Sequence, residues 1–323
     1  MPAFPKPTFK YDYDPQDEIK ALRAHKAVRG IPKRASDRLL VCTWNIANFG
    51  AQQRRTEDRQ LISEIISWFD VVAIQELKDN FADLVEVKRL LGKDWHILFS
   101  DACGNDERMA FVYDHTRVKL QEKVGEIAYS VAELKNVKLA GIKQPFQGFD
   151  RTPYLASFHV DTFTFLLVNV HLYFGKQSTT KDKKASMERR TLETFAVAKW
   201  AEKRKKSPYA YVRDVIALGD FNMPKRDPQD PIFKALSSKG LHVPEHTSKV
   251  GSNLAGDADY DQIAFFPDET EGAFTGLHGV FDFDNAVFKD LWNDGKGEKR
   301  FRQFVKYYMS DHRPMWMQFN TAV

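Results

Sequence analysis

Polar residues of a narrow set recur where the apolar runs of this chain stop. The run at 39–44 (LLVCTW) stops at Asn45, 71–74 (VVAI) at Gln75 and Glu76, 163–170 at His171, and 215–218 (VIAL) at Gly219 and Asp220, with Asn222 close behind. Asp261 lies in YDQI beside another apolar run, and Ser310-Asp311-His312-Arg313-Pro314 precedes the last one. Strand ends are where sites are built. Gathered in one cleft, Glu76, Asp220, Asp261 and Asp311 repel one another and any anionic substrate unless a divalent cation or cationic imidazoles offset the charge. Hard oxygen donors select magnesium or manganese, whereas zinc calls for more Cys or His at close spacing. Singly, each residue has a plainer role: Asn45 capping a turn, Glu76 ending a strand, His171 satisfied at a sheet edge, GDFN forming a turn. Jointly, with a basic segment described below, they suit hydrolysis of a phosphate ester.

Positioning these residues requires strands that end side by side. Apolar, strand-length runs are predicted at 39–44, 71–74, 110–113, 154–160, 163–170, 215–218, 263–266 and 315–319. Those at 154–160 and 163–170, joined at Asp161-Thr162, form a hairpin and hence an antiparallel pair. Leu61, Ile62, Ile65, Ile66 and Phe69 give helical spacing to 57–69, as do the apolar residues of 80–91; Leu192, Phe195, Ala196 and Trp200 do so for 189–204. Helices interspersed with antiparallel strands predict a mixed, layered α/β sandwich. Residues 1–36 are expected to be an irregular extension ending in the turn-like RGIPKR, and 37–323 a single catalytic domain, because the polar set runs from Asn45 to His312.

Composition excludes other classes. The 323 residues are 43% hydrophobic and 28% charged, ordinary for a globular chain with a large core. The longest apolar stretches, such as 163–168, fall far short of the roughly 20 residues of a membrane span. The amino terminus lacks a basic region followed by an apolar one, and two cysteines, Cys42 and Cys103, offer no disulfide framework, so a cytoplasmic location is expected. Between Lys176 and Lys206 stand eleven Lys or Arg against four Asp or Glu. That excess exceeds the whole chain's +4, so basic character is concentrated there and fits a polyanionic partner.

The motifs WNIANF, IQE, NVHL, GDFN, YDQI and SDHRP, in that order, resemble those of the endonuclease/exonuclease/phosphatase superfamily, from about Leu39 to Phe319. The resemblance implies a four-layer α/β sandwich with two central, mainly antiparallel sheets, and divalent-metal-dependent hydrolysis of phosphoesters. NVHL is similar to the deoxyribonuclease I and sphingomyelinase-type branches. The stretch 105–108 resembles the place where deoxyribonuclease I carries a glutamate paired with this histidine, which implies Glu107 as the partner of His171. Arg151 resembles that enzyme's phosphate-contacting arginine. Asn105 departs from the pattern, standing where the nuclease has a DNA-contacting tyrosine.

On this resemblance Glu76 and Asn45 hold magnesium (or manganese), with Asp311 a further ligand. His312 with Asp261 activates water, and His171 with Glu107 protonates the leaving oxygen, though these two roles could exchange. Asp220 and Asn222 orient water and phosphate. The partner implied is nucleic acid, DNA first, with Lys181, Lys183, Lys184, Arg189 and Arg190 tracking its backbone. The alternative is a phosphodiesterase or phosphatase of a lipid head group or small molecule. A catalytically dead binding module conflicts with a polar set from which no acid is missing.

Overall fold

The computed structural model describes residues 3–293 and 297–322. Its strands in chain order are β1 (Arg38–Phe49), β2 (Val71–Leu77), β3 (Trp95–Phe99), β4 (Arg108–Asp114), β5 (Lys119–Glu126), β6 (Tyr154–Val160), β7 (Phe163–His171), β8 (Asp214–Asp220), β9 (Asp261–Phe265), β10 (Phe274–Val280) and β11 (Met315–Asn320). They form a six-stranded sheet, β10-β11-β1-β2-β4-β3, and a five-stranded sheet, β5-β6-β7-β8-β9. The helices are α1 (Pro15–Val28), α2 (Thr56–Ile66), α3 (Ala82–Leu91), α4 (Val131–Leu134), α5 (Thr180–Lys205), α6 (Pro231–Ser237), α7 (Pro267–Thr270), α8 (Lys289–Asn293) and α9 (Gly297–Tyr308). No helix among the described residues is long and apolar enough to cross a membrane.

Each sheet is antiparallel except for one pair, β1 with β2 and β7 with β8. A parallel pair puts two carboxyl ends at the same edge of its sheet. Asn45 therefore stands opposite Gln75, next to Glu76, and His171 stands opposite Asp220. The antiparallel neighbours begin where these strands end. Asp261 opens β9 opposite Asp220, Arg108 opens β4 opposite Leu77, and Met315 pairs with Thr43 just after His312. All the chemistry-bearing residues thus reach one edge of the molecule.

Alternation along the strands makes the layers. In β1, Leu39 and Val41 face Phe165, Leu167, Ile216 and Leu218 between the two sheets, while Leu40, Cys42 and Trp44 face the helices. There they meet Leu61 and Ile65 of α2 and Phe304 and Val305 of α9. On the other side Val168, Val170, Val215 and Ala217 pack on Val197, Trp200 and Ala201 of α5 and on Ile232 and Leu236 of α6. The result is the four-layer sandwich with two mainly antiparallel central sheets.

The amino-terminal segment is not irregular. Asp14 accepts from Gln16 N as the cap of α1, Pro15 occupies the first turn where no N–H is missed, and Asp17 and Glu18 complement the helix dipole. Only Ile19 and Leu22 face inward, too sparse a pattern to declare a helix, yet both are buried in the core, an effect of about 1.5–3 kcal/mol each. Strands β3, β5 and β10 are likewise absent from the sequence expectations. So is α9, despite the helical spacing of Phe301, Phe304, Val305 and Tyr308. Helix α5 starts nine residues earlier than the apolar face suggests, at a Thr179–Asp182 capping box.

The docking of α1 rests on Asp282, which is fully buried. Its carboxylate lies 2.7 Å from His25 Nε2, accepts from Asn285 Nδ2 at 2.6 Å, and pairs with the Arg29 guanidinium. Burial alone would raise its pKa, but the bonds from His25, Arg29 and Asn285 outweigh it and hold the group below its ordinary 3.8. Its stabilising contribution is therefore complete above 3.8 and lost as the pH falls below that value. Asp282→Asn is expected to cost about 3 kcal/mol at pH 7, as for one partner removed from a buried pair. Urea titrations of both proteins at pH 7 and pH 3 check this: the difference must shrink at the lower pH.

Candidate active site

The end of β2 turns Glu76 into the cleft. Pairing of β2 with both neighbours shifts register here, and Glu76 takes a left-handed φ of 62°, a strained conformation for a long side chain. Its Oε2 accepts from Asn48 N at 2.8 Å and its Oε1 from Asn45 Nδ2 at 3.1 Å. Asn45 Nδ2 also donates to Asp220 Oδ2 at 3.1 Å, while Asn45 Oδ1 is buried without a hydrogen-bond partner. An orphaned amide oxygen beside a buried carboxylate fits a hard divalent cation. Asp311 is close enough to feel the charges of Glu76 and His312; burial pushes its pKa up. Asn45 and Glu76 could hold such a cation, with Asp311 near them. Asp220, Asp261 and His312 also bring ligand atoms within 4.8 Å of one another.

Two histidine–carboxylate pairs flank this group. His312 Nδ1 lies 2.8 Å from Asp261 Oδ2, and His171 Nδ1 lies 3.0 Å from Glu107 Oε2. Both Nε2 atoms face Asp220 Oδ2, at 3.8 Å from His312 and 3.5 Å from His171. Burial disfavours charge on His312, yet Asp261 and Asp220 raise its pKa well above the ordinary value. Burial would raise Glu107, but the charges of His171, Arg151 and Lys78 hold it well below the usual carboxylate range. Asp220 is fixed by Asn222 N on Oδ1 at 2.8 Å, and Asn222 Nδ2 donates to Leu172 O at 2.8 Å. The glycine of GDFN is needed here: Gly219 has φ of 135°, and a Cβ on it would lie 2.1 Å from Val170 O.

Three expected substrate contacts are placed differently. Arg151 is only 3% exposed; its Nε donates to His171 O at 2.8 Å and its Nη2 to Leu172 O at 2.7 Å, so its fork braces the chain behind His171. Arg190 is equally buried and donates to Asn222 O at 2.8 Å. Arg189 is engaged with Asp150 and Glu193 and lies over the Tyr173 ring at 3.9 Å. These arginines lie on the inward side of α5 or on the loop beneath it, where carbonyls and carboxylates take their donors. Lys181, Lys183 and Lys184 are exposed on the first turns of α5.

Several positioning residues escape a reading based on strand ends. Gln75 Nε2 donates to Asn169 Oδ1 at 2.6 Å and to Thr43 Oγ1 at 3.0 Å, and Asn169 Nδ2 reaches Ala110 O at 3.0 Å and Ile74 O at 3.2 Å. These polar groups join the two sheets directly beneath the site. Ser310 Oγ donates to Asn45 O at 2.6 Å and accepts from Ala47 N and His312 N, while Trp44 Nε1 donates to His312 O at 2.9 Å. The signal was a polar residue inside an apolar run, which by itself names no partner.

No protein-family model matches the chain, and no curated protein matches it. Solved structures do. D. rerio TDP2 complexed with single strand DNA product is 16% identical, with a TM-score of 0.54 over 88% of this chain and 99% of that one. The mannosyl-6-phosphatase Bt3783 of Bacteroides thetaiotaomicron is 16% identical, with a TM-score of 0.53 over 87% and 99%. An endonuclease/exonuclease/phosphatase family protein from Bacteroides thetaiotaomicron is 16% identical, with a TM-score of 0.52 over 87% and 94%. The likeness is one of fold: this chain has the DNase I-like fold of endonuclease/exonuclease/phosphatase proteins.

The cross-sheet bonds yield a stability test. Asn169→Ala strands the amide of Gln75 and two carbonyls in a dry interior, and is expected to cost at least about 1–3 kcal/mol. A lowered urea midpoint at unchanged slope is the expected result; an unchanged midpoint would show that the sheets are held elsewhere.

Proposed function

We propose that this protein is a divalent-metal-dependent phosphodiesterase whose substrate is nucleic acid, DNA in the first place. The observation that carries the reading is the convergence of two imidazoles, each tied to its own carboxylate, on one oxygen of Asp220 beside Asn45 and Glu76. A cation held by Glu76 and Asn45, with Asp311 beside them, would polarise the scissile phosphate and offset charge developing on its oxygens.

The remaining steps belong to side chains. Asp261 holds Nδ1 of His312, leaving Nε2 toward Asp220, where it is placed to take a proton from the attacking water. Ionised Glu107 lies 3.0 Å from Nδ1 of His171 and fixes the direction of the ring, so that Nε2 is placed to give a proton to the leaving oxygen. Asp220, bonded by Asn222 and Asn45, orients the groups between them. Exposed Lys181, Lys183 and Lys184 support a polyanionic substrate, and TDP2, of the same fold, is complexed with a single strand DNA product. The mannosyl-6-phosphatase of the same fold favours the second reading, a small phosphorylated molecule.

The purified protein with magnesium, assayed in parallel on plasmid DNA, RNA, sphingomyelin and a chromogenic diester, separates these readings. Glu76→Gln should keep the melting temperature and lose at least ~100-fold in turnover, as should His171→Ala and His312→Ala. Near-normal turnover in any of them removes that residue from the site. Replacing Lys181, Lys183 and Lys184 together by Gln should lower the log-log salt dependence of DNA binding by roughly 0.7–0.9 per lost phosphate contact. The rate on the small diester should stay put, and an unaltered salt slope would favour the small-molecule reading.

A further inference from the structure

Glu193, on the buried face of α5, is a carboxylate that the mechanism above does not use, and it is wholly shielded from solvent. Its Oε2 accepts from Tyr173 N at 2.9 Å, just beyond the end of β7, and its Oε1 accepts from Asp150 N at 3.1 Å. Asp150 in turn takes Arg151 Nη1 and Arg189 Nη2, each at 3.2 Å, on its two side-chain oxygens. The carbonyl of Asp150 accepts from Gly104 N at 3.0 Å, on the loop that leads to Glu107. That approach is so close that a Cβ on Gly104 would lie 2.5 Å from the oxygen.

One helix side chain therefore grips both segments that hold His171. The strand exit behind the imidazole is bonded by Glu193 directly and by Arg151 through the carbonyls of His171 and Leu172. The loop carrying Glu107 is bonded through Asp150. We propose that Glu193 is a positioning residue for the His171–Glu107 pair, setting the direction from which His171 delivers its proton. The inference rests on the reading of His171 as the proton donor. Burying a carboxylate is costly, and burial pushes Glu193 up to about 7 despite the two N–H bonds and the facing Arg189 and Arg151 guanidinium groups. For holding one helix on a sheet an apolar side chain would serve better. What a carboxylate adds is two acceptors at a fixed separation, one for each segment.

Proton donation matters only when the leaving group is poor, so the substrate pair separates positioning from general damage. An oligodeoxynucleotide expels an alkoxide that needs a proton; bis(p-nitrophenyl) phosphate expels a phenolate that does not. Glu193→Gln keeps the volume but turns an N–H toward a backbone N–H. Its kcat on the oligonucleotide should fall at least about 10-fold, with KM little changed, while kcat on the nitrophenyl diester falls less than about 2-fold. Equal loss on both substrates, or none on either, overturns the inference. His171→Ala is the control. If it loses equally on both, the reading of His171 as donor fails and takes this inference with it; if it is selective and Glu193→Gln is not, only the positioning role fails. Should Glu193→Gln not melt cooperatively, Glu193→Asp carries the test, because it keeps the charge while its shorter side chain loosens the grip on Tyr173 N and Asp150 N. The same selective loss, of at least about 3-fold, is expected, and an unselective result overturns the inference.

Discussion

Gln75 and Asn169 meet at 2.6 Å between two sheets that are otherwise mainly apolar on their facing sides, and that contact joins the strands that carry Glu76 and His171. Gln75 precedes Glu76 on β2 and Asn169 precedes His171 by two residues on β7, so the bond sets the Glu76 side of the cleft against the His171 side. Apolar packing tolerates small sliding because it is non-directional. An amide pair with Thr43 Oγ1, Ala110 O and Ile74 O as further partners does not, since any slip leaves a buried donor unmade at about 1–3 kcal/mol each.

Above this layer the electrostatics are unbalanced by design of the fold. Glu76, Glu107, Asp220, Asp261 and Asp311 reach one edge, against two histidines, Lys78 at 3.0 Å from Glu107, and a guanidinium, Arg151, that is spent on carbonyls and on Glu107. The imbalance is not uniform. Glu107 and Asp261 each have an imidazole nitrogen within 3.0 Å, whereas Glu76 is bonded by an amide and a backbone N–H, with His171 Nε2 farther off at 4.0 Å. On the proposed reading, the side of the cleft around Asn45 and Glu76 is where a cation would gain most. The basic segment contributes differently along its length: its exposed lysines act at a distance, while Arg189 and Arg190 serve the architecture of the site.

The lead-in segment extends the same logic to stability. Helix α1 reaches across to Asp282, Arg34 reaches Asp70 at 2.8 Å, and Tyr11 and Tyr13 pack on Phe288 and Phe304. The segment thus covers the outer face of the helices that support β1 and β11, the two strands beside His312.

The strand-end residues and the layered α/β class were legible in the sequence, because strand periodicity is a property of neighbouring residues; the two-sheet architecture and the pairing of His171 with Glu107 were implied only by the family resemblance. Asn45, Glu76, His171, Asp220, Asp261 and His312 do stand together, as a parallel pair in each sheet requires. Which polar group meets which is another matter. Arg151, Arg189 and Arg190 carry the chemistry of phosphate contacts, and only their tertiary partners, His171 O, Asp150 and Asn222 O, make them braces. Helix α1, with two inward apolar residues, was likewise decided by the surface it covers. The sequence by itself determined the types of group at the edge of the sheets, since those follow from local pattern. The tertiary structure alone decided their partners, because hydrogen bonds and desolvation join residues from 20 to 175 positions apart, and no local periodicity records those distances.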